Sequence, residues 1–189
     1  MMNTTRYKSI AFGAALIALM AATRMHHFGN SLHLPDASLA VFLLAGFLVS
    51  SPVFFGILLI EAGLLDYIAI THMGVSDYCV TSAYWFLIPT YAVLWVAGRA
   101  YANIHQDSLR SLGLFSAISF AAVSTAFFIS NGAFYLFSGR YPDMNMSEYA
   151  SRVAQYYDPY VASAVIYLVP AVLLYAVFKL GTDQTKHAG

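Results

Sequence analysis

Charge is scarce in this chain of 189 residues: nine lysines and arginines face nine aspartates and glutamates, only 10% of the sequence. So even and sparse a balance leaves no basic stripe, which argues against nucleic acid as a partner. Cysteine is scarcer still. Cys79 stands alone, which excludes an internal disulfide and leaves a thiol oxidoreductase without a second cysteine to resolve its disulfide. No G-x-x-x-x-G-K-[ST] loop is present, so nucleotide is not hydrolysed by that route, and no H-E-x-x-H pattern marks a zinc protease. Repeats, low-complexity tracts and a separate soluble stretch are also missing.

Apolar sequence is what the chain has in excess. Hydrophobic residues make up 60% and mean hydropathy is +0.66, far from the composition of a soluble domain. That composition belongs to an all-α integral membrane protein. Apolar runs near the roughly 20 residues a spanning helix needs can be drawn six times, at 9–25, 36–49, 52–70, 80–98, 112–137 and 159–180, within one transmembrane domain covering 1–189. The second is the shortest, and only Ser50, Ser51 and Pro52 separate it from the third, a tight hairpin with proline opening the next helix. The first run follows Arg6 and Lys8 as a secretory signal would, but it ends in Arg24, Met25, His26 and His27 rather than at a small-residue cleavage site, and reads as a retained helix.

Six spans place both termini on one side. That side holds Arg6, Lys8, Arg99, Arg110, Lys179 and Lys186, six of the nine basic residues, against Arg24, Arg140 and Arg152 opposite. Positive charge stays inside, so both termini are expected in the cytoplasm. The outer side then carries His26, His27, His33, Asp36, Asp66, His72, Asp77, Cys79, Arg140, Asp143, Glu148, Arg152 and Asp158. Cytoplasmic connections are short, with His105 and Asp107 as their main polar additions.

Polar groups are costly near the bilayer and mark sites. Asp66 closes the run before Cys79, Tyr84 follows it by five residues, and His26 and His27 lie just past the first run. The longest outer connection, 138–158, contains Asn145 followed by Glu148, a capping-box spacing that predicts a short helix there. Its tyrosines read either as an interfacial anchor or, with Arg152 on the same helix, as a lid. Glu61, inside the third run, stays outside the candidate set and reads as a helix–helix hydrogen bond or a pocket-lining group. Ala11, Ala15, Ala18 and Ala22 recur at spacings of four, three and four and share one face of the first helix. Small residues permit close helix approach, either to a neighbour within the bundle or to a separate membrane protein.

These features together resemble the substrate-binding S-components of energy-coupling-factor vitamin transporters, and most of all the BtuM family of bacterial cobalamin transporters. The likeness rests on Met25-His26-His27-Phe28, Leu64-Leu65-Asp66-Tyr67, Asp77-Tyr78-Cys79-Val80 with Tyr84, and Arg152. It implies an S-component-like bundle that takes up cobalamin at the outer face, with His27, Asp66, Cys79, Tyr84 and Arg152 as ligand-binding positions. It further implies Cys79 as axial cobalt ligand and as the group that removes cyanide from cyanocobalamin, with the alanine face open to a membrane scaffold and its ATPases, or to none. Cobalt accepts a soft thiolate or an imidazole nitrogen, and metal contact itself lowers the thiol pKa. Two rivals remain at this point: a membrane enzyme using Cys79 or the histidines His26, His27, His33 and His72, and a purely structural subunit.

Overall fold

The computed structural model describes residues 4–24 and 34–187, with side chains from 7 to 24 and from 34 to 177. Among the described residues there are helices and no strands: α1 (Thr4–Arg24), α2 (Ser38–Leu48), α3 (Pro52–His72), a 3-10 helix (Ser82–Phe86), α4 (Leu87–Ala102), α5 (Leu109–Phe137) and α6 (Met146–His187). Three helical stretches, Pro52–His72, Leu109–Phe137 and Met146–Val177, are long and apolar enough to cross a membrane. Along α3 the large apolar side chains of Val53, Ile57, Ile60, Leu64 and Tyr67 recur every three or four residues and all point away from the bundle. Such a stripe belongs against lipid.

The expected second span, 36–49, takes another form. α2 is 11 residues long and rises only about 16 Å, half of the roughly 30 Å hydrocarbon layer. Ser38 to Gly46 are all buried, and α2 packs against α1, α3, α4 and α6. It is the core of the bundle, apolar on every side because protein surrounds it. Ser50, with a positive φ of 54°, ends the helix; Ser51 then caps α3 by accepting from the Phe54 N–H at 3.3 Å, and Pro52 opens it.

Contact between α2 and α4 is extremely close. A Cβ at Gly46 would overlap the Trp95 carbonyl oxygen, and one at Gly98 would overlap that of Leu43. Only glycine admits this approach at either position, and Phe42 stacks on Tyr91 at 4.1 Å between the same helices. Gly98→Ala must therefore separate the two helices, costing at least the ~1–3 kcal/mol typical of an overpacked core. Gly113→Ala, in open space on α5, leaves the thermal midpoint in detergent unchanged or higher, and that comparison checks the effect.

Two further expectations are corrected. The run at 80–98 begins with a turn and the 3-10 helix, and α4 proper covers Leu87–Ala102. The outer helix expected within 138–158 and the last span from 159 are one continuous α6, with Pro159 and Pro170 inside it. Proline removes a backbone donor, but within a membrane bundle neighbouring contacts keep such a helix together. Tyr157 OH lies 2.7 Å from Ser124 Oγ on α5, the Tyr160 ring packs on Phe127, and Tyr167 OH donates to the Pro35 carbonyl. The cap itself is as expected: Asn145 Oδ1 accepts from the Glu148 N–H at 2.9 Å.

Direction alternates along the chain. α1, α3 and α5 run toward the end that holds Arg24, Asp66 and Phe137, while α2, α4 and α6 start there. At the opposite end His105 and Asp107 tie the α4–α5 connection to Tyr175 of α6, at 2.9 and 2.7 Å. Ala11, Ala15, Ala18 and Ala22 are all exposed, so the alanine face looks out of the bundle and packing within it is ruled out.

Candidate functional site

Arg24 ends α1, where a cation suits the helix dipole, and it is buried at the meeting point of four elements. Its Nε and Nη2 donate to the two carboxylate oxygens of Asp66 on α3, both at 2.7 Å. This two-bond fork is the strongest common form of ion pair. Nη1 donates to Asp36 Oδ2 at 3.0 Å, Ser38 Oγ at 2.7 Å and Tyr91 OH at 2.9 Å. Asp36 also accepts from the Ser38 backbone N–H and hydroxyl, at 2.9 and 2.6 Å, just ahead of α2. One guanidinium thus locks α1, α2, α3 and α4 together and faces two carboxylates.

Tyr84 joins the cluster from the 3-10 helix. Its hydroxyl donates to Asp66 Oδ2 at 2.7 Å, so Asp66 and Tyr84, singled out separately in the sequence, are in direct contact. Asp66 pairs with Arg24 and not with Arg152.

Cys79 is exposed on a tight turn closed by the Val80 N–H donating to the Asp77 carbonyl at 2.8 Å. Arg140 holds that turn: its Nε donates to the Tyr78 carbonyl at 3.0 Å, and its guanidinium lies 4.0 Å from the Tyr78 ring centroid. Tyr78 OH also meets Tyr141 OH at 3.0 Å. Arg152 lies beyond, over the Tyr141 ring at 4.8 Å and the Tyr135 ring at 6.0 Å, and donates to Glu148 Oε1 at 3.3 Å on its own helix. Arg152 therefore reaches the thiol's turn through Tyr141 and Tyr78. The start of α6 is docked on α5 through Tyr149 and Tyr135, whose rings are 5.4 Å apart.

Partial burial pushes the Cys79 thiol above its ordinary pKa, with Arg140 opposing the shift and Asp66 adding to it. The resting group at neutral pH is the thiol. Arg140→Gln removes the one cation that favours thiolate, and the apparent thiol pKa should rise. Alkylation at neutral pH should slow about two- to fivefold, the range of an exposed charge pair. Because Cys79 is unique, bulk alkylation measured against pH reads this residue directly.

His26, His27 and His33 lie outside the described residues, and His72 is exposed at the end of α3. Among the described residues no group of three or more His, Cys, Asp and Glu side chains gathers as a metal site. An open groove of about 360 Å³ between α5 and α6, lined by Phe128, Ala150, Val153, Ala154, Tyr157 and Asp158, shares none of the cluster residues.

Sequence reasoning placed Arg24 and Asp36 on the outer side without seeing that they form a centre, and it missed Tyr91. The available signal was a cation at the end of an apolar run with two carboxylates expected at the same membrane face. No protein-family model matches the chain, and no curated protein matches it.

Proposed function

We propose that this protein is a six-segment carrier of the bacterial inner membrane that captures cobalamin at its outer end, with the Cys79 thiolate as axial ligand to cobalt. The observation that carries the reading is an exposed, solitary thiol on a turn clamped by Arg140 at 3.0 Å, with the Asp66–Tyr84 pair and Arg152 at the same end of the bundle. A thiol placed so is open to a ligand too large for an internal cavity. Asp66 and Arg152 are assigned to the amides and phosphate of the vitamin, Tyr84 to stacking or a hydrogen bond, and His27 to orienting Cys79 or binding a displaced ligand group.

The alternation of helix direction supports a common side for both termini, and the basic residues favour the cytoplasm for that side. The outward alanine face of α1 supports docking to a membrane scaffold with ATPases. Cobalamin brings four equatorial nitrogens in its ring, so the protein needs to supply a single donor. Ligation converts thiol to thiolate and releases a proton, so apparent affinity rises with pH, by up to about tenfold per unit below the thiol pKa.

The test is to mix purified protein with aquacobalamin, whose leaving ligand is water, at several pH values from acidic to neutral and follow the corrin spectrum after size exclusion. Co-elution of one corrin per chain, with affinity rising with pH, is the expected result. A colourless protein at every pH refutes the reading and brings forward a membrane-embedded thiol enzyme acting on another small molecule.

A further inference from the structure

Glu61 lies inside α3, one of the helices long and apolar enough to cross a membrane. Both carboxylate oxygens are shielded from solvent and neither has a hydrogen-bond partner, so the helix–helix hydrogen bond expected for this residue is not formed. It follows Phe54 by seven residues, and the Phe54 ring packs at 3.3 Å on the Cβ position of Gly13; Glu61 therefore lies toward the α1 side of α3. A charged carboxylate without partners is very costly in such surroundings, and a neutral acid far less so.

We propose that Glu61 is a proton-binding site inside the membrane, loading and releasing a proton as the carrier changes state. This rests on the transport reading above and adds an ion to it.

The charged neighbours are few. From α1, Arg24 acts on the Glu61 carboxyl, while Tyr7 and Lys8 sit at the far, exposed end of that helix. α2 presents no titratable side chain between Ser38 and Leu48, with Asp36 just ahead of it. α3 itself carries Asp66, Tyr67 and His72 beyond Glu61. Arg24 is held by Asp66 and Asp36, which neutralise it. A ligand that draws Asp66 away leaves more of Arg24's positive charge acting on Glu61 and favours release of its proton. Occupation of the outer site is thereby linked to the proton.

Two measurements test this. Infrared spectra of the protein in lipid near neutral pH should show the carbonyl band of a protonated carboxyl that shifts in heavy water, is lost in Glu61→Gln and persists, displaced, in Glu61→Asp. Absence of that band in the unaltered protein overturns the proposal. In proteoliposomes, an inside-acid gradient should speed cobalamin uptake severalfold, because cobalamin binding outside displaces the proton and the carrier reloads it from inside, and the effect should be lost in Glu61→Gln. Uptake indifferent to the gradient in the unaltered protein also overturns it. If cobalamin does not bind at all, the transport reading falls, and the infrared band still decides whether Glu61 holds a proton.

Discussion

Arg24→Ala should leave little folded protein. The guanidinium side chain is only 7% exposed and pairs with Asp36 and Asp66, themselves 23% and 24% exposed. Removing it strands two carboxylates near one another with no counter-charge, at a cost of about 3–5 kcal/mol for a broken buried pair. Total stability of a domain is about 5–15 kcal/mol, so the loss is a large fraction of it. The hydroxyls of Ser38, Tyr91 and Tyr84 that are organised around the cluster lose their arrangement as well. Arg24→Lys should fall between, since an ammonium keeps the charge but cannot reproduce the two-bond fork on Asp66. Combining Arg24→Met with Asp36→Asn and Asp66→Asn should recover much of the stability, because the penalty is uncompensated charge rather than lost volume. The midpoint of thermal unfolding in detergent and the fraction of monodisperse protein measure each step. A single Arg24→Ala variant as stable as the parent would show that the cluster does not hold the bundle.

Cys79→Ala has the largest expected effect on function with the least on structure. Cys79 is exposed and its side chain holds no hydrogen bond among the described residues, while the turn around it is kept by backbone contacts and Arg140. Folding should be nearly unchanged. Cobalamin binding should weaken by more than the roughly 10–100-fold that follows loss of a mere supporting contact to a metal ligand, and the corrin spectrum should lose its thiolate signature. On the proposed reading, cyanide removal would be a ligand exchange at cobalt(III): the sulfur–cobalt bond forms, the cobalt–cyanide bond breaks, and the thiol proton leaves with cyanide as hydrogen cyanide. No electron is transferred and no oxidant is needed. The Ala variant should therefore fall to the uncatalysed rate of cyanide release. Removal at the parent rate would eliminate Cys79 as the reacting group.

Much of the fold is legible in the apolar runs because lipid and protein core both demand apolar side chains over helical lengths. The same fact conceals the difference between them. α2 reads as a short span, yet it is a buried central helix, and only its neighbours reveal that its apolar sides meet protein. The Ser51–Pro52 start and the Asn145 cap were readable because each is a contact within three residues. The continuity of α6 through Pro159 was not, since whether a proline breaks a membrane helix depends on what packs beside it.

In the site, Asp66, Cys79 and Tyr84 stood out as polar residues at the edges of apolar runs, and the structure adds that Tyr84 donates to Asp66. Arg152 was placed with them but contacts Glu148 and two tyrosines instead. The sequence by itself determined that the chain is helical and suited to a membrane and that polar groups collect at run edges, because the cost of placing charge in lipid is local to each segment. Only the tertiary structure decided that Arg24 is the centre. Its partners lie 12 and 42 residues away, and they meet because α1 and α3 pack on each other and on α2, whose start lies beside Arg24.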